Sequence, residues 1–175
     1  MDNTELQALL DREQIRNCII RLARGEDRRD AALITSAYWP DAATDYGVFS
    51  GSLQQYLEWV VPGSSALPVT QHALGQTHIE LRDTVALAET YVTSYHRIDM
   101  GTEHRDTVIG GRYLDRLEKR NGEWRIAHRT MLYDWYHEFG VAIDWSQGVM
   151  GQTFSAPHYT GRAHGDYSEQ FFAKA

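Results

Sequence analysis

Two long strand-like runs flank Asn121-Gly122 between His104 and His137, in the stretch HRDTVIGGRYLDRLEKRNGEWRIAHRTMLYDWYH. Asn and Gly both accept positive φ, so the pair closes a type I′ turn and makes the two runs a β-hairpin. Before the turn, Val108, Tyr113 and Leu117 supply strand-favouring bulk among charges. After it, Trp124, Ile126, Thr130 and Leu132 alternate with Arg125, Ala127 and Arg129. Each arm is expected to run about 12 to 15 residues, beyond the common five or six. Gly110-Gly111 falls inside the first arm, where glycine marks a bulge or a bend. A hairpin this long and bent curls, and the rest of the chain is expected to wrap on it and form a pocket.

Helical spacing precedes the hairpin. Thr4-Glu5-Leu6-Gln7 resembles a capping box. Behind it Leu6, Leu9, Leu10, Ile15, Cys18, Ile19 and Leu22 recur at helical spacing, and Gly25 is a candidate left-handed stop. Glu26 to Asp30 reads as a charged turn, with Asp30 capping a second helix from Ala31 to Tyr38 that Pro40 ends. Ala42 to Phe49 reads as a short strand with Thr44, Tyr46 and Val48 on one face. Gly51-Ser52 opens a third helix, Leu53 to Val60. Thr70 to Leu81 and Thr84 to Ile98 read as long strands, joined by a turn at Arg82-Asp83. Helices first and antiparallel strands last give an α+β fold, with helices on one face of a curved sheet. After His137 the pattern decays into a tail of glycines and scattered aromatics: Trp145, Phe154, Tyr159, Tyr167, Phe171 and Phe172.

Composition narrows the function. A net charge of −7 argues against a nucleic-acid backbone as partner. One cysteine, Cys18, excludes an internal disulfide framework and a cysteine metal cluster; inside a helix it reads as a small buried apolar residue. No apolar run reaches membrane-spanning length and the N-terminus is polar and acidic, so a cytoplasmic protein is expected. Ten Tyr and five Trp must line a core, a pocket or an interface.

The entry segment LDREQIRNCIIRLARGEDRRD, then WPDAATDYGVFSG, TQHALGQTHIEL and GGRYLDRLEKRNGEWRIAHRTMLYDW, together resemble the SnoaL-like branch of the nuclear transport factor 2-like superfamily. The resemblance covers roughly residues 5 to 136. It implies a cone: a curved antiparallel sheet with N-terminal helices packed on it, enclosing a pocket, a cystatin-like α+β barrel. Residues 1–140 are then the cone domain, and 141–175 an extension packing on it or on a neighbouring subunit. The superfamily includes dehydratases, dehydrochlorinases, isomerases, cyclases and non-catalytic binding or assembly domains, and fold does not choose among them.

Asp27 and His72 fall where the dehydratase and dehydrochlorinase members pair an Asp after the first helix with a His at the start of the first long strand. The chemistry this implies is proton abstraction. A neutral imidazole is a suitable base near neutral pH, and a carboxylate on its other nitrogen fixes the tautomer and stabilises the imidazolium. Read from the residues alone, Asp27 is sooner a surface turn residue and His72 a hydrogen-bonded core histidine. Tyr46 matches a pocket tyrosine of the dehydratases, whose phenol could donate to a substrate carbonyl or enolate; it is equally a core or rim tyrosine. On the second long strand Ser94 and His96 share one face and Tyr95 takes the other, and the sequence leaves open which looks inward. Arg129 sits where related dehydrochlorinases place a cationic or polar pocket residue; its alternative is a cross-strand ion pair with Asp115 or Glu118. Arg112 and Arg125 read as solvated charges. Leu22 departs from the pattern, standing where a tyrosine precedes the Asp in some dehydratases.

No metal is expected. His72 and His78 are about 20 Å apart at strand rise, and His96, His104, His128 and His137 show no ligand spacing. No phosphate-cradling glycine loop and no Gly-x-Ser-x-Gly elbow occurs, so no cofactor and no covalent nucleophile is expected. The expected activity is that of a cofactor-independent lyase or isomerase acting on a small hydrophobic cyclic or aromatic molecule, in a homodimer or homotrimer. The alternative is a non-catalytic ligand-binding or assembly protein of the same fold, resembling the small subunit of a ring-hydroxylating dioxygenase.

Overall fold

The structure, a computed structural model, describes residues 2–63, 65–145, 147–155 and 167–173. The first helix, α1 (Asn3–Arg28), starts two residues ahead of the expected box. Asp2 is its cap: Asp2 Oδ1 accepts from the Glu5 N–H at 2.8 Å, and Glu5 Oε2 accepts from the Asp2 N–H at 3.0 Å. Ile15, Cys18, Ile19 and Leu22 are buried, whereas Leu6, Leu9 and Leu10 are exposed. Asp11 pins the helix to the sheet, its Oδ1 accepting from Trp124 Nε1 at 2.9 Å and Lys119 Nζ at 2.8 Å.

Gly25 does not end α1. The helix runs on to Arg28 and is capped by Arg29 in the left-handed region, φ 53°. Gly25 is required by space: a Cβ there would lie 2.9 Å from Ile34 Cγ1 on the following helix, α2 (Ala31–Ala37). Glu26 and Asp27 therefore belong to the last helical turn, not to a charged turn. Asp30 caps α2 as its position predicts, accepting from the N–H groups of Ala32 and Leu33.

Tyr38 already has extended backbone, so the next strand, β1 (Tyr38–Asp45), starts earlier than Ala42 and takes in Pro40. Proline is tolerated because the pairing is interrupted between Tyr38 and Ala43. The chain then turns through Gly47, φ 74°, and returns as β2 (Ser50–Ser52), which leads into α3 (Leu53–Val60). Four long strands follow: β3 (Val69–Arg82), β4 (Val85–Asp99), β5 (His104–Arg120) and β6 (Glu123–Val141). Asn121 and Gly122 have φ of 53° and 83°, the two positive values a type I′ turn needs. The hairpin arms are 17 and 19 residues, longer than expected.

The main sheet has the order β2-β1-β6-β5-β4-β3. It is mixed, because β1 runs parallel to β6 while the other neighbours are antiparallel. Register shifts at Asp106/Thr107, Gly110/Gly111 and Arg116/Leu117 put the extra residues Phe139, Asp134 and Ala127 into β6. Each such bulge bends the strand, and together they curl the sheet over the helices. Glycine at 111 allows a close backbone approach, since a Cβ would lie 2.1 Å from the Leu132 carbonyl oxygen.

Beyond the sheet, β7 (Gly148–Val149) pairs with β8 (Gln152–Thr153), and α4 (Tyr167–Phe172) reaches α1 through Arg24. The Arg24 guanidinium lies over the Phe172 ring and donates to Ser168 Oγ. Trp145 faces Arg97. Of the tail aromatics, Tyr159 lies outside the described residues. Among the described residues no helix is long and apolar enough to cross a membrane.

Candidate active site

The end of α1 and the start of β3 meet at Asp27 and His72. The His72 backbone N–H lies 3.1 Å from both Asp27 carboxylate oxygens. Its ring Nδ1 lies 2.7 Å from Asp27 Oδ1. A carboxylate accepts only, so Nδ1 carries the proton and Nε2 is left with a lone pair. Burial lowers the affinity of His72 for a proton. The hydrogen bond that His72 donates to Asp27, with the charges of Glu26 and Asp27, more than offsets it, and its pKa is raised above 6.5.

His72 forms part of the wall of a cavity of about 350 Å³ between the sheet and α3. The lining is chiefly aromatic and aliphatic: Tyr46, Tyr56, Trp59, Tyr113, Ile109 and Met131, with Tyr133 and Tyr136 half open to solvent. This is the size and character of a site for a small apolar ligand. On its other side the Asp27–His72 pair faces a second, more open hollow lined by Ile20, Ala23, Arg24, Arg28 and Leu74. His96 lines the main cavity with its ring edge-on to His72, centroids 6.2 Å apart. Burial and the neighbouring His72 push the His96 pKa down to about 4.

Glu26 lies at the inner end of the cavity, 5% exposed. Its Oε1 accepts from Tyr56 Oη at 2.5 Å and from Tyr46 Oη at 3.0 Å, and the two hydroxyls are 3.0 Å apart. The two rings stack, centroids 5.3 Å apart. Arg129 Nη1 is 3.9 Å from the same Glu26 oxygen.

The expected residues divide. Asp27 and His72 meet. Tyr46 and Ser94 line the cavity, but the Tyr46 hydroxyl is engaged by Glu26 and Tyr56 rather than presented as a free donor. Tyr95 is on the opposite face of β4, its hydroxyl donating to Asp106 at 2.7 Å beside Arg97. The parity of β4 decides this: Ser94, His96 and Ile98 look in, Tyr95 and Arg97 look out. Arg129 is behind the cavity wall and does not line it. Its Nε and Nη2 grip the two oxygens of Asp115, its cross-strand partner, at 2.7 and 2.8 Å, and its guanidinium lies 3.9 Å from the centroid of the Tyr113 ring. The cross-strand ion pair is thus the role the fold gives it. Arg112 pairs with Asp134 and Glu89, and Arg125 with Glu123. Cys18 is buried, its thiol pushed up to about 11 by burial. Among the described residues no group of three or more His, Cys, Asp or Glu is placed to hold a metal ion.

Sequence reasoning missed Glu26, Tyr56, Trp59 and Arg29. Glu26 was hidden by the supposed end of α1 at Gly25. Tyr56 had a legible signal: with Leu53, Leu57 and Val60 it makes the apolar face of α3. Arg29 lines the cavity and donates to the Pro62 and Leu67 carbonyls, tying down the loop after α3.

The SnoaL-like domain family matches residues 7–130. No curated protein matches the chain. A type 2 hexachlorocyclohexane dehydrochlorinase superposes with a TM-score of 0.70 at 17% identity, over 89% of this chain and 99% of that one. A type 3 hexachlorocyclohexane dehydrochlorinase from Novosphingobium barchaimii gives 0.68 at 17% identity, over 87% and 99%. A candidate scytalone dehydratase from Novosphingobium aromaticivorans gives 0.65 at 18% identity, over 84% and 97%. At these identities the likeness is one of fold.

Proposed function

The chain belongs to the SnoaL-like domain family, and on that premise we propose that it is a cofactor-independent lyase or isomerase acting on a small hydrophobic cyclic or aromatic molecule. The observation that carries the reading is the 2.7 Å contact of His72 Nδ1 with Asp27 Oδ1, made by a histidine that forms part of the cavity wall. His72 Nε2 takes a proton from an acidic carbon of the bound molecule. Asp27 holds the ring in the required tautomer and stabilises the imidazolium. The electron pair left on carbon either expels a group from the neighbouring carbon, giving an alkene, or is reprotonated elsewhere, giving an isomer. Dehydrochlorinase and dehydratase structures among the similar folds favour elimination. Tyr46 and Ser94 contact the molecule from the inner wall; Arg129 and Tyr95 act on the framework, through Asp115 and Asp106.

The test is incubation in deuterium oxide with a panel of cyclic ketones, cyclic alcohols and halocycloalkanes, read by mass spectrometry and NMR. The reading expects deuterium uptake, or loss of water or hydrogen halide, that disappears in Asp27→Ala and His72→Ala variants with unchanged circular dichroism. Turnover retained in either variant would sink the mechanism.

A second reading, a non-catalytic assembly or binding subunit, draws on the far half of β6. Trp135, Phe139 and Val141 are exposed there, past the end of the pairing with β1, and Ile143 is exposed just beyond the strand. The same surface supports a homodimer or homotrimer, with residues 141–175 as an extension of the cone domain. Light scattering separates the two: a monomer overturns the homo-oligomer, and copurification with a larger chain favours the assembly role.

A further inference from the structure

We propose that the inner end of the cavity recognises a hydrogen-bond donor on the ligand ring, a hydroxyl, because Glu26 has turned Tyr46 and Tyr56 from donors into acceptors. The proposal rests on the cavity being the ligand site and not on any reaction there. A phenol carries one hydrogen and an ionised carboxylate carries none. The Tyr56 hydrogen points at Glu26 Oε1 across 2.5 Å. The Tyr46 hydrogen has two acceptors within 3.0 Å, Glu26 Oε1 and Tyr56 Oη, and is spent on either. Both hydrogens of the cluster are therefore used internally. What remains is the lone pairs of the two phenols and Glu26 Oε2, which is buried and has no hydrogen-bond partner. Arg129 Nη1, 3.9 Å from Oε1, places a cation beside the carboxylate.

The remainder of the wall sharpens the selection. Trp59, Ile109 and Met131 offer a ring-shaped molecule apolar contact beside the cluster. A ligand carbonyl or ether oxygen placed against the cluster would face only acceptors and lose the hydrogen bond it made with water. A ring hydroxyl placed there gains an acceptor that is already oriented. Tyr46, expected from the sequence to donate to a carbonyl, is thereby assigned the opposite polarity.

The experiment measures binding by titration calorimetry to the full chain with three probes of one shape: 2-naphthol, 2-methoxynaphthalene and 2-acetonaphthone. The expected order places 2-naphthol roughly tenfold or more above the other two, the effect of one charge-assisted hydrogen bond. In Glu26→Gln the amide supplies a donor to the same place, and the preference shrinks or inverts toward 2-acetonaphthone. Tyr46→Phe, which leaves Glu26 as acceptor, retains the preference for naphthol. A wild-type chain that binds the ether or the ketone as tightly as the naphthol overturns the proposal, as does one that binds none of the three. The wild-type ranking decides the matter even if Glu26→Gln fails to fold. A chain that prefers the naphthol yet turns nothing over would keep this inference and remove the lyase reading.

Discussion

Asp27 holds both the ring and the main chain of His72: one carboxylate contacts the imidazole Nδ1 at 2.7 Å and the backbone N–H of the same residue at 3.1 Å. The side chain thus fixes where β3 enters the site as well as which nitrogen of the ring is free. That coupling makes the pH behaviour of the site calculable in sign.

The base form of His72 exists only above its raised pKa. The expected kcat/KM therefore falls as pH drops through a value above 6.5. Asp27→Asn removes the charge that raises it, moves this limb to lower pH, and lowers the plateau on the order of 10² to 10⁴-fold. In stability the sign is opposite. The dyad contributes fully below pH 6.5, and the contribution is lost as pH rises through the folded value. A pH–rate profile with NMR titration of His72 checks both.

His96 behaves in the other direction. Its folded pKa of about 4 means that the native state refuses a proton the unfolded chain accepts near 6.5. Stability is expected to fall as pH drops from 6.5 to about 4. In His96→Gln the denaturant midpoint should lose that part of its pH slope; an unchanged slope would assign it to other groups.

Arg129 and Asp115 have side chains at 0% exposure. Arg129→Met leaves a buried carboxylate without its counter-ion, and a loss of about 3–5 kcal/mol is expected. The double variant Asp115→Leu, Arg129→Met should regain much of that loss. Urea unfolding of the single and double variants measures the coupling.

Gly25→Ala normally stabilises a helix interior by about 1 kcal/mol. Here the new methyl would meet Ile34 Cγ1 at 2.9 Å and the Ile34 backbone nitrogen at 3.0 Å. The substitution is expected to destabilise instead, by about 1–3 kcal/mol, as α2 is pushed away. Thermal unfolding gives the sign directly.

Much of the fold was legible because its signals are local. Asn121-Gly122, the Asp30 cap and the Ser52 helix start each act within a few residues. The direction of side chains on β6 was not legible. Alternation counted from Trp124 and Ile126 points Thr130 and Leu132 inward and Arg129 outward. The extra residue at Ala127 reverses the count, so Arg129 and Met131 are buried. The extra residue at Asp134 reverses it again, and Tyr136 lines the cavity as Tyr133 does. A bulge is specified by the partner strand, which no window on β6 contains. Glu26 was missed for a related reason: Gly25 has the composition of a helix stop, and only the approach of Ile34 explains its place inside the helix.

His72 is a partition with a compartment on each face, the cavity on one side and the more open hollow beside Arg24 and Arg28 on the other. On the proposed reaction, the proton that can leave through Asp27 toward the hollow is the one on Nδ1, while the hydrogen taken at Nε2 stays on the cavity side. An abstracted hydrogen is thus held against the bound molecule. Part of its isotopic label is expected to return to an isomerised product before it exchanges with solvent.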